Sequence, residues 1–144
     1  MTQFSSSSQT DPASERGVRR EDFELPASAA AVSQARERVY GQLKRWNLPE
    51  DLGHSAQLVI SEFFTNAVVH TESEQVRCRL RAQDGRLRIE VTDEGSEGEV
   101  AARHADEESL NGRGLHLVSA VAEKWGVLNG TGPLGRVVWA ELRG

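Results

Sequence analysis

The chain has 144 residues, enough for one domain with a hydrophobic core, and its 38% hydrophobic and 27% charged residues fit a globular protein better than a disordered or membrane one. The formal net charge of -5 argues mildly against a general nucleic-acid binder, which usually carries a basic patch. With no run of about 18 apolar residues and a polar, serine-rich N-terminus, we expect neither a membrane-spanning helix nor a secretory signal. The single cysteine, Cys78, cannot form an internal disulfide, which agrees with a reducing cytoplasm.

The N-terminal part of the chain divides into a tail, a strand and a helix. Residues 1 to 21 hold almost nothing apolar, so we expect a disordered tail followed by a single domain over 22 to 144. Phe23-Glu-Leu25 indicates a short first strand. Ser28 can then cap a helix that runs to about Trp46.

A second helix, beginning near Asp51, carries the most informative pair of polar residues. Its apolar residues recur at three- and four-residue spacing through Leu58–His70. Glu62 and Asn66 are four residues apart, so they lie on one face of this helix. A carboxylate next to an amide on a well-anchored helix can hold a cation or orient a water molecule.

After the second helix the apolar period changes to two, which predicts a hairpin with one buried face and a turn at Gln83-Asp-Gly85. Arg77, Arg79 and Arg81 alternate with apolar residues in the first strand of this hairpin. We interpret these arginines as the solvent-exposed face of the strand, because antiparallel sheets commonly bury only one face.

Asp93 is in phase with the buried residues of the returning strand, so it should face the core side of the sheet. An unpaired buried carboxylate is costly and needs a hydrogen-bond donor. The exocyclic amine of a purine would serve, and Gly95 would let a ligand approach the backbone. Taken alone, the alternative that Asp93 merely opens a turn is the stronger interpretation.

Residues 94 to 111 hold six acids against one arginine. A loop this long in a small domain is usually functional or mobile. Gly112-Arg-Gly114 follows it and opens another amphipathic helix, so free backbone amides and the helix dipole could bind an anion such as phosphate. This signal is weak alone, because glycines before helices are common.

Two closing strands, around 125 to 128 and 136 to 142, complete the predicted elements. Together they predict an α/β two-layer sandwich, in which a mainly antiparallel mixed sheet is covered on one face by about three helices. The other face must be polar or covered by a partner, and Trp139 alternates toward it.

Four features follow one another in an order that resembles the sequence pattern of the GHKL (Bergerat-fold) ATPase superfamily. They are the helix with Glu and Asn, the strand that ends in Asp-x-Gly, the long loop, and the Gly-x-Gly before a helix. That superfamily has the histidine-kinase-like ATPase fold. The resemblance covers roughly residues 23 to 143. The short length and the closing segment Gly135–Leu142 make the chain similar to small bacterial anti-sigma-factor serine/threonine kinases and stand-alone histidine-kinase-like ATP-binding proteins.

The resemblance implies ATP and Mg²⁺ as ligands. It implies that Asn66 ligates magnesium, that Glu62 is the general base for a partner's hydroxyl, and that Asp93 reads adenine. It implies residues 94 to 111 as a lid over the nucleotide. Further nucleotide-binding positions implied by the resemblance are Gly95, Gly112, Arg113, Gly114 and Leu115.

The function implied is that of an ATP-binding regulatory kinase, which phosphorylates a serine or threonine of an antagonist protein and sequesters a sigma factor. A homodimer through the first strand and the sheet surface is typical of these relatives. The alternative is a non-catalytic module of the same fold that binds nucleotide or sequesters a partner, and a third possibility is an ATPase component that serves an unrelated signalling partner. Glu62 favours the kinase, whereas the acidic lid and Glu97, which stands where a second glycine is expected, favour the non-catalytic module. A further departure is Val137, which stands where relatives often have a hydroxyl residue.

Overall fold

A computed structural model describes residues 17–70, 74–93, 113–129 and 135–144. In these ranges five strands form one sheet with the order β1-β2-β3-β5-β4, and three helices pack on one of its faces. Every strand pair is antiparallel, so the predicted two-layer α/β sandwich is confirmed. The strands are β1 (Arg19–Pro26), β2 (Gln75–Gln83), β3 (Arg86–Asp93), β4 (Lys124–Asn129) and β5 (Arg136–Arg143). The helices are α1 (Ala29–Arg45), α2 (Glu50–His70) and α3 (Arg113–Val121).

The first strand is longer than the sequence predicts. It begins at Arg19, so the expected tail of residues 1 to 21 is too long by at least three residues. The apolar pattern missed this part of the strand because it is held by backbone pairing with β2, in the register Arg19 opposite Ala82, and not by buried side chains. Residues 1 to 16 lie outside the described residues.

Helix α1 begins and ends where its capping signals predict. The Ser28 side chain accepts a hydrogen bond from the Ala31 backbone amide at 3.3 Å, which satisfies one of the amides left unpaired in a first turn. Trp46 caps the other end. The residues of α1 that are fully buried recur at four-residue spacing, and they are Ala31, Ala35, Val39 and Leu43.

The junction between α1 and α2 is tied by a small polar cluster. The Tyr40 hydroxyl donates to Glu50 at 2.5 Å, and the Tyr40 ring stacks on His54 with 5.7 Å between ring centroids. Glu50 also lies 3.7 Å from the Nε2 atom of His54. The hydrogen bond lowers the pKa of Glu50 and raises the pKa of Tyr40.

The hairpin of β2 and β3 closes through a two-residue turn. Asp84 and Gly85 both have positive φ, 54° and 77°, which is the geometry of a type I′ turn and explains the Asp-Gly signal. Alternate residues of both strands are buried against the helices, as predicted. Cys78 is one of them, and burial raises the pKa of its thiol to about 12, so it is an inert core residue.

The opposite face of the sheet, called here the open face, is covered by charged side chains. Arg77 pairs with Glu24 and Arg79 pairs with Asp22, each at 3.1 Å across the β1–β2 ladder. Arg77, Arg79 and Arg81 are all exposed, which confirms their interpretation as a solvent-facing row. Trp139 also lies on the open face, as the alternation predicts, with the Arg88 guanidinium 4.4 Å from its ring centroid.

The two ends of the sheet, where its strands begin and finish, are called here its edges. The Asp93 edge is the end where β3 finishes and β5 begins, with Asp93 opposite Arg136. The hairpin edge is the other end, where the turn at Asp84-Gly85 lies beside Gly144, whose backbone amide donates to the Gly85 carbonyl at 2.8 Å. Within the described ranges, no helix is both long and apolar enough to cross a membrane.

Candidate functional site

The direction of α2 brings Glu62 and Asn66 toward the Asp93 edge. Only four residues separate the end of α2 at His70 from the start of β2 at Gln75, so the two ends lie close together. The start of β2 lies beside the end of β3, because Arg77 is opposite Thr92. The C-terminal half of α2 therefore lies over the edge that carries Asp93.

Within α2 the two polar residues sit on a half-buried face next to a packed core. Phe63, Phe64 and Ala67 are buried, while Glu62 and Asn66 are partly accessible. The Nδ2 atom of Asn66 donates to the Glu62 backbone carbonyl at 3.1 Å. This bond uses the nitrogen of the amide as a donor and leaves its oxygen as an acceptor.

Asp93 is buried on the helix-covered face, as the alternation predicts, with its side chain 1% exposed. Its partner is Arg136 on the neighbouring strand β5, whose Nη2 atom lies 3.2 Å from Oδ2 of Asp93. Arg136 is itself only 6% exposed at its side chain. A guanidinium therefore supplies one of the donors that a buried carboxylate needs.

Arg136 is the site residue that sequence reasoning missed. Its signal was available, because it is in phase with the buried residues Val138, Ala140 and Leu142, and a charged residue in a buried phase needs a partner. Val137, in contrast, lies in the phase of Trp139 on the open face. The residue that faces Asp93 from β5 is therefore Arg136, and the absence of a hydroxyl at Val137 removes no bond to Asp93.

The third motif is described only in part. Arg113, Gly114 and Leu115 form the first turn of α3, so the prediction of a helix opened by this segment is confirmed. The segment after the helix lies beside the far part of β5, since the Glu123 amide donates to the Glu141 carbonyl at 2.8 Å. Gly95, Gly112 and the predicted lid of residues 94 to 111 lie outside the described residues.

Asn66 and the first turn of α3 carry groups of the kind that can bind a magnesium–nucleotide ligand. Among the described residues, no group of three or more His, Cys, Asp or Glu side chains is placed to hold a metal ion. Magnesium usually keeps several waters and takes one or two protein oxygens together with substrate phosphates, and the amide oxygen of Asn66 is an oxygen that could serve in this way. The first turn of a helix supplies backbone amides for phosphate oxygens.

Comparison with known proteins supports the family and the fold. The family model of the histidine kinase-like ATPase domain matches residues 25–142. A search of curated protein sequences gives no match.

Among solved structures, the chain is similar to the crystal structure of the RsbU and RsbW domains of Rv1364c from Mycobacterium tuberculosis, with 21% identity and a TM-score of 0.63. The match covers 87% of this chain and 32% of that one, so this chain spans about a third of the longer protein. At this level of identity the similarity shows the fold. Because the family model covers most of the sequence, the chain belongs to the histidine kinase-like ATPase domain family.

Proposed function

We propose that this protein binds Mg-ATP at the Asp93 edge and transfers the terminal phosphate to a serine or threonine of an antagonist protein, while also sequestering a sigma factor. The observation that carries the proposal is the placement of Glu62 and Asn66 on one half-buried face of α2, over the edge that holds Asp93. The partners follow from the resemblance to anti-sigma-factor kinases. Such a protein would act in the cytoplasm, where ATP and a sigma factor are found.

Each side chain has a separate task in this proposal. Asn66 would offer its amide oxygen to Mg²⁺, which neutralises phosphate charge when bound. Asp93 would accept from the exocyclic amine of adenine, and Arg136 would hold that carboxylate in place. Glu62 would accept the proton of the attacking hydroxyl, as its oxygen bonds to the terminal phosphorus and ADP leaves.

The second candidate is a non-catalytic module that binds nucleotide or a partner without transferring phosphate. The Asp93–Arg136 ion pair favours it, because a guanidinium on the base-reading carboxylate competes with the adenine amine for the same acceptor atoms. The acidic composition of residues 94 to 111 adds repulsion toward a triphosphate.

Replacing Asn66 tests the nucleotide site. In a calorimetric titration with Mg-ATP, Asn66→Ala should weaken binding by about tenfold or more, equal to ~1.4 kcal/mol, because the metal loses its protein oxygen. Thr65→Ala is the matched control, since Thr65 is the exposed neighbour in the same helix. Equal affinity in the wild type and Asn66→Ala would refute the metal assignment.

Replacing Glu62 separates the two candidates. Glu62→Gln keeps the size and hydrogen bonding of the side chain but cannot take a proton, so phosphate transfer to an antagonist encoded by a neighbouring gene should fall by roughly 10²–10⁴-fold with Mg-ATP affinity unchanged. Glu37→Gln, on the exposed face of α1, is the control. Tight Mg-ATP binding by the wild type with no transfer to the antagonist would favour the non-catalytic module.

A further inference from the structure

The hairpin edge carries a groove that the nucleotide proposal does not use. Its volume is about 620 Å³, and it lies at the end of the sheet opposite Asp93. Four arginines line it against two carboxylates, Asp84 and Glu141. We call it the basic groove, and its arginines are Arg81, Arg86, Arg88 and Arg143.

Several arginines of the groove occupy directly opposed positions on neighbouring strands, which brings like charges together. Arg81 is directly opposite Arg88 on one side and Arg20 on the other, and Arg86 is directly opposite Arg143. Like charges in directly opposed positions destabilise a sheet. The chain has a net charge of -5, so this concentration of positive charge runs against its overall composition.

The charges nearest solvent are the ones that the protein leaves uncompensated. Arg81 and Arg86 are exposed, and neither forms an ion pair with any residue in the part of the chain that the structure describes. By contrast, Arg77 and Arg79, on the same face and the same strand, each bond to a carboxylate of β1. Of the other two groove arginines, Arg143 is paired with Glu123 at 3.0 Å and Arg88 is paired on both sides, so within the described part of the chain the unpaired guanidinium groups of the groove are those of Arg81 and Arg86.

The inner wall of the groove is held rigidly. Arg88 bonds to Glu90 and to Glu141, each at 2.7 Å, while its guanidinium stacks on Trp139. Burial lowers the pKa of Arg88, but the bonds to Glu90 and Glu141 outweigh burial and raise it overall. Trp139 is fixed from the other side as well, because its indole lies against Gly126 on β4. A fixed Arg–Trp pair is the kind of anchor that dominates protein interfaces.

We propose that the basic groove is a docking surface for an acidic segment of a partner protein, one that also carries an apolar side chain. The free guanidinium groups of Arg81 and Arg86 would take carboxylates in bidentate pairs. The apolar side chain would pack on the open face beside Trp139, which lies two residues from the groove residue Glu141 on β5.

A nucleic acid fits this surface less well than an acidic protein segment. A phosphate backbone needs a basic track that continues beyond a few residues. Here the unpaired guanidinium groups of Arg81 and Arg86 lie at the hairpin edge, whereas the arginines farther along β2 are each paired with a carboxylate of β1. An apolar side chain packed beside Trp139 also has no counterpart on a phosphate backbone.

The test is a fluorescence anisotropy titration of the full chain with a labelled peptide of eight glutamates and a central leucine. We expect saturable binding that weakens from 50 to 200 mM NaCl, because the contacts are between exposed charges. The double variant Arg81→Glu/Arg86→Glu should lose at least about tenfold in affinity, which corresponds to ~1.4 kcal/mol. Its melting temperature should not fall, since Arg81→Glu removes two like-charge oppositions.

The matched control is Arg36→Glu/Arg45→Glu on the exposed part of α1, which changes the net charge by the same amount. This variant should keep the affinity for the peptide, and the groove variant should keep its affinity for Mg-ATP. Unchanged peptide binding in the groove variant, or an equal loss in the control, would refute the docking surface. A single-stranded oligonucleotide of the same charge that bound as tightly as the peptide would refute the assignment to a protein segment.

Discussion

The two edges of the sheet treat arginine in opposite ways. At the Asp93 edge, Arg136 is buried and bonded to one carboxylate, in a position where water cannot screen either charge. At the hairpin edge, Arg81 and Arg86 are exposed and lie in a row of like charges. At the Asp93 edge the charges are buried and paired inside the fold, whereas at the hairpin edge the charges are exposed and accessible to a binding partner. The same residue type therefore belongs to structure at one end of the molecule and to recognition at the other.

The largest effect that distinguishes the edges should come from breaking the buried pair. Arg136→Met removes the guanidinium that faces the buried carboxylate of Asp93 and should cost about 3–5 kcal/mol of unfolding free energy, measured by urea denaturation. The double variant Asp93→Asn/Arg136→Met removes both charges and should recover much of that loss. A cost below about 1 kcal/mol for Arg136→Met would mean that the pair is as well solvated as a surface pair.

A smaller effect is expected on the open face at the hairpin side. Gly126→Ala would place its methyl carbon 3.0 Å from Cζ2 and Nε1 of Trp139, whose ring is also in contact with the Arg88 guanidinium, which limits its movement. We expect a loss of ~1–3 kcal/mol. Gly41→Ala is the control, because its nearest neighbour atom, Nη1 of Arg45, is at 3.5 Å and alanine favours a helix. Equal stability of the two variants would show that the Trp139 ring is free to move.

The smallest effect concerns the Tyr40–Glu50 bond at the α1–α2 junction, which also belongs to the hairpin side, since Pro49 and Leu52 lie against Gly144. Glu50 has a lowered pKa when folded, so its contribution is present above its ordinary value of 4.5 and is lost as the pH falls through the folded pKa. Tyr40 has a raised pKa, so its contribution is lost only as the pH rises above 10.

The Tyr40→Phe variant should therefore melt at a slightly lower temperature than the wild type at pH 7, and the difference should decrease as the pH falls below 4.5. Thermal melts at pH 7 and pH 3 measure it. A difference in melting temperature that persists undiminished at pH 3 would contradict the role of ionised Glu50.

Elements with a clear period were predictable from the sequence because one physical rule decided each of them. Three local patterns each predict a structure without information from the rest of the chain: the capping signal at Ser28, the alternation around Cys78 and the Asp-Gly turn. The burial of Asp93 followed from the same alternation. The first four residues of β1 were missed because they are polar and are held by backbone pairing with β2, so the sequence shows no alternation of apolar residues there.

The candidate site residues on α2 and β3 were predictable from the sequence, but their spatial relation to the residues of β5 was not. Asp93 and Arg136 are partners through strand order, and nothing local shows that β5 lies between β3 and β4. The basic groove was invisible for the same reason. Arg81 and Arg88 are spaced like ordinary surface residues, and only the register makes them neighbours.

The insertion of β5 between β3 and β4 also has a kinetic consequence. The β2–β3 hairpin closes through a two-residue turn, so this part of the sheet can form early at little entropic cost. The Asp93–Arg136 contact instead closes a loop of 43 residues, and the entropy of that closure must be paid before the contact stabilises the chain. The basic groove also needs β5, because Arg143 and Glu141 line it, so during refolding both ends of the sheet should be completed in one step, when β5 pairs with β3.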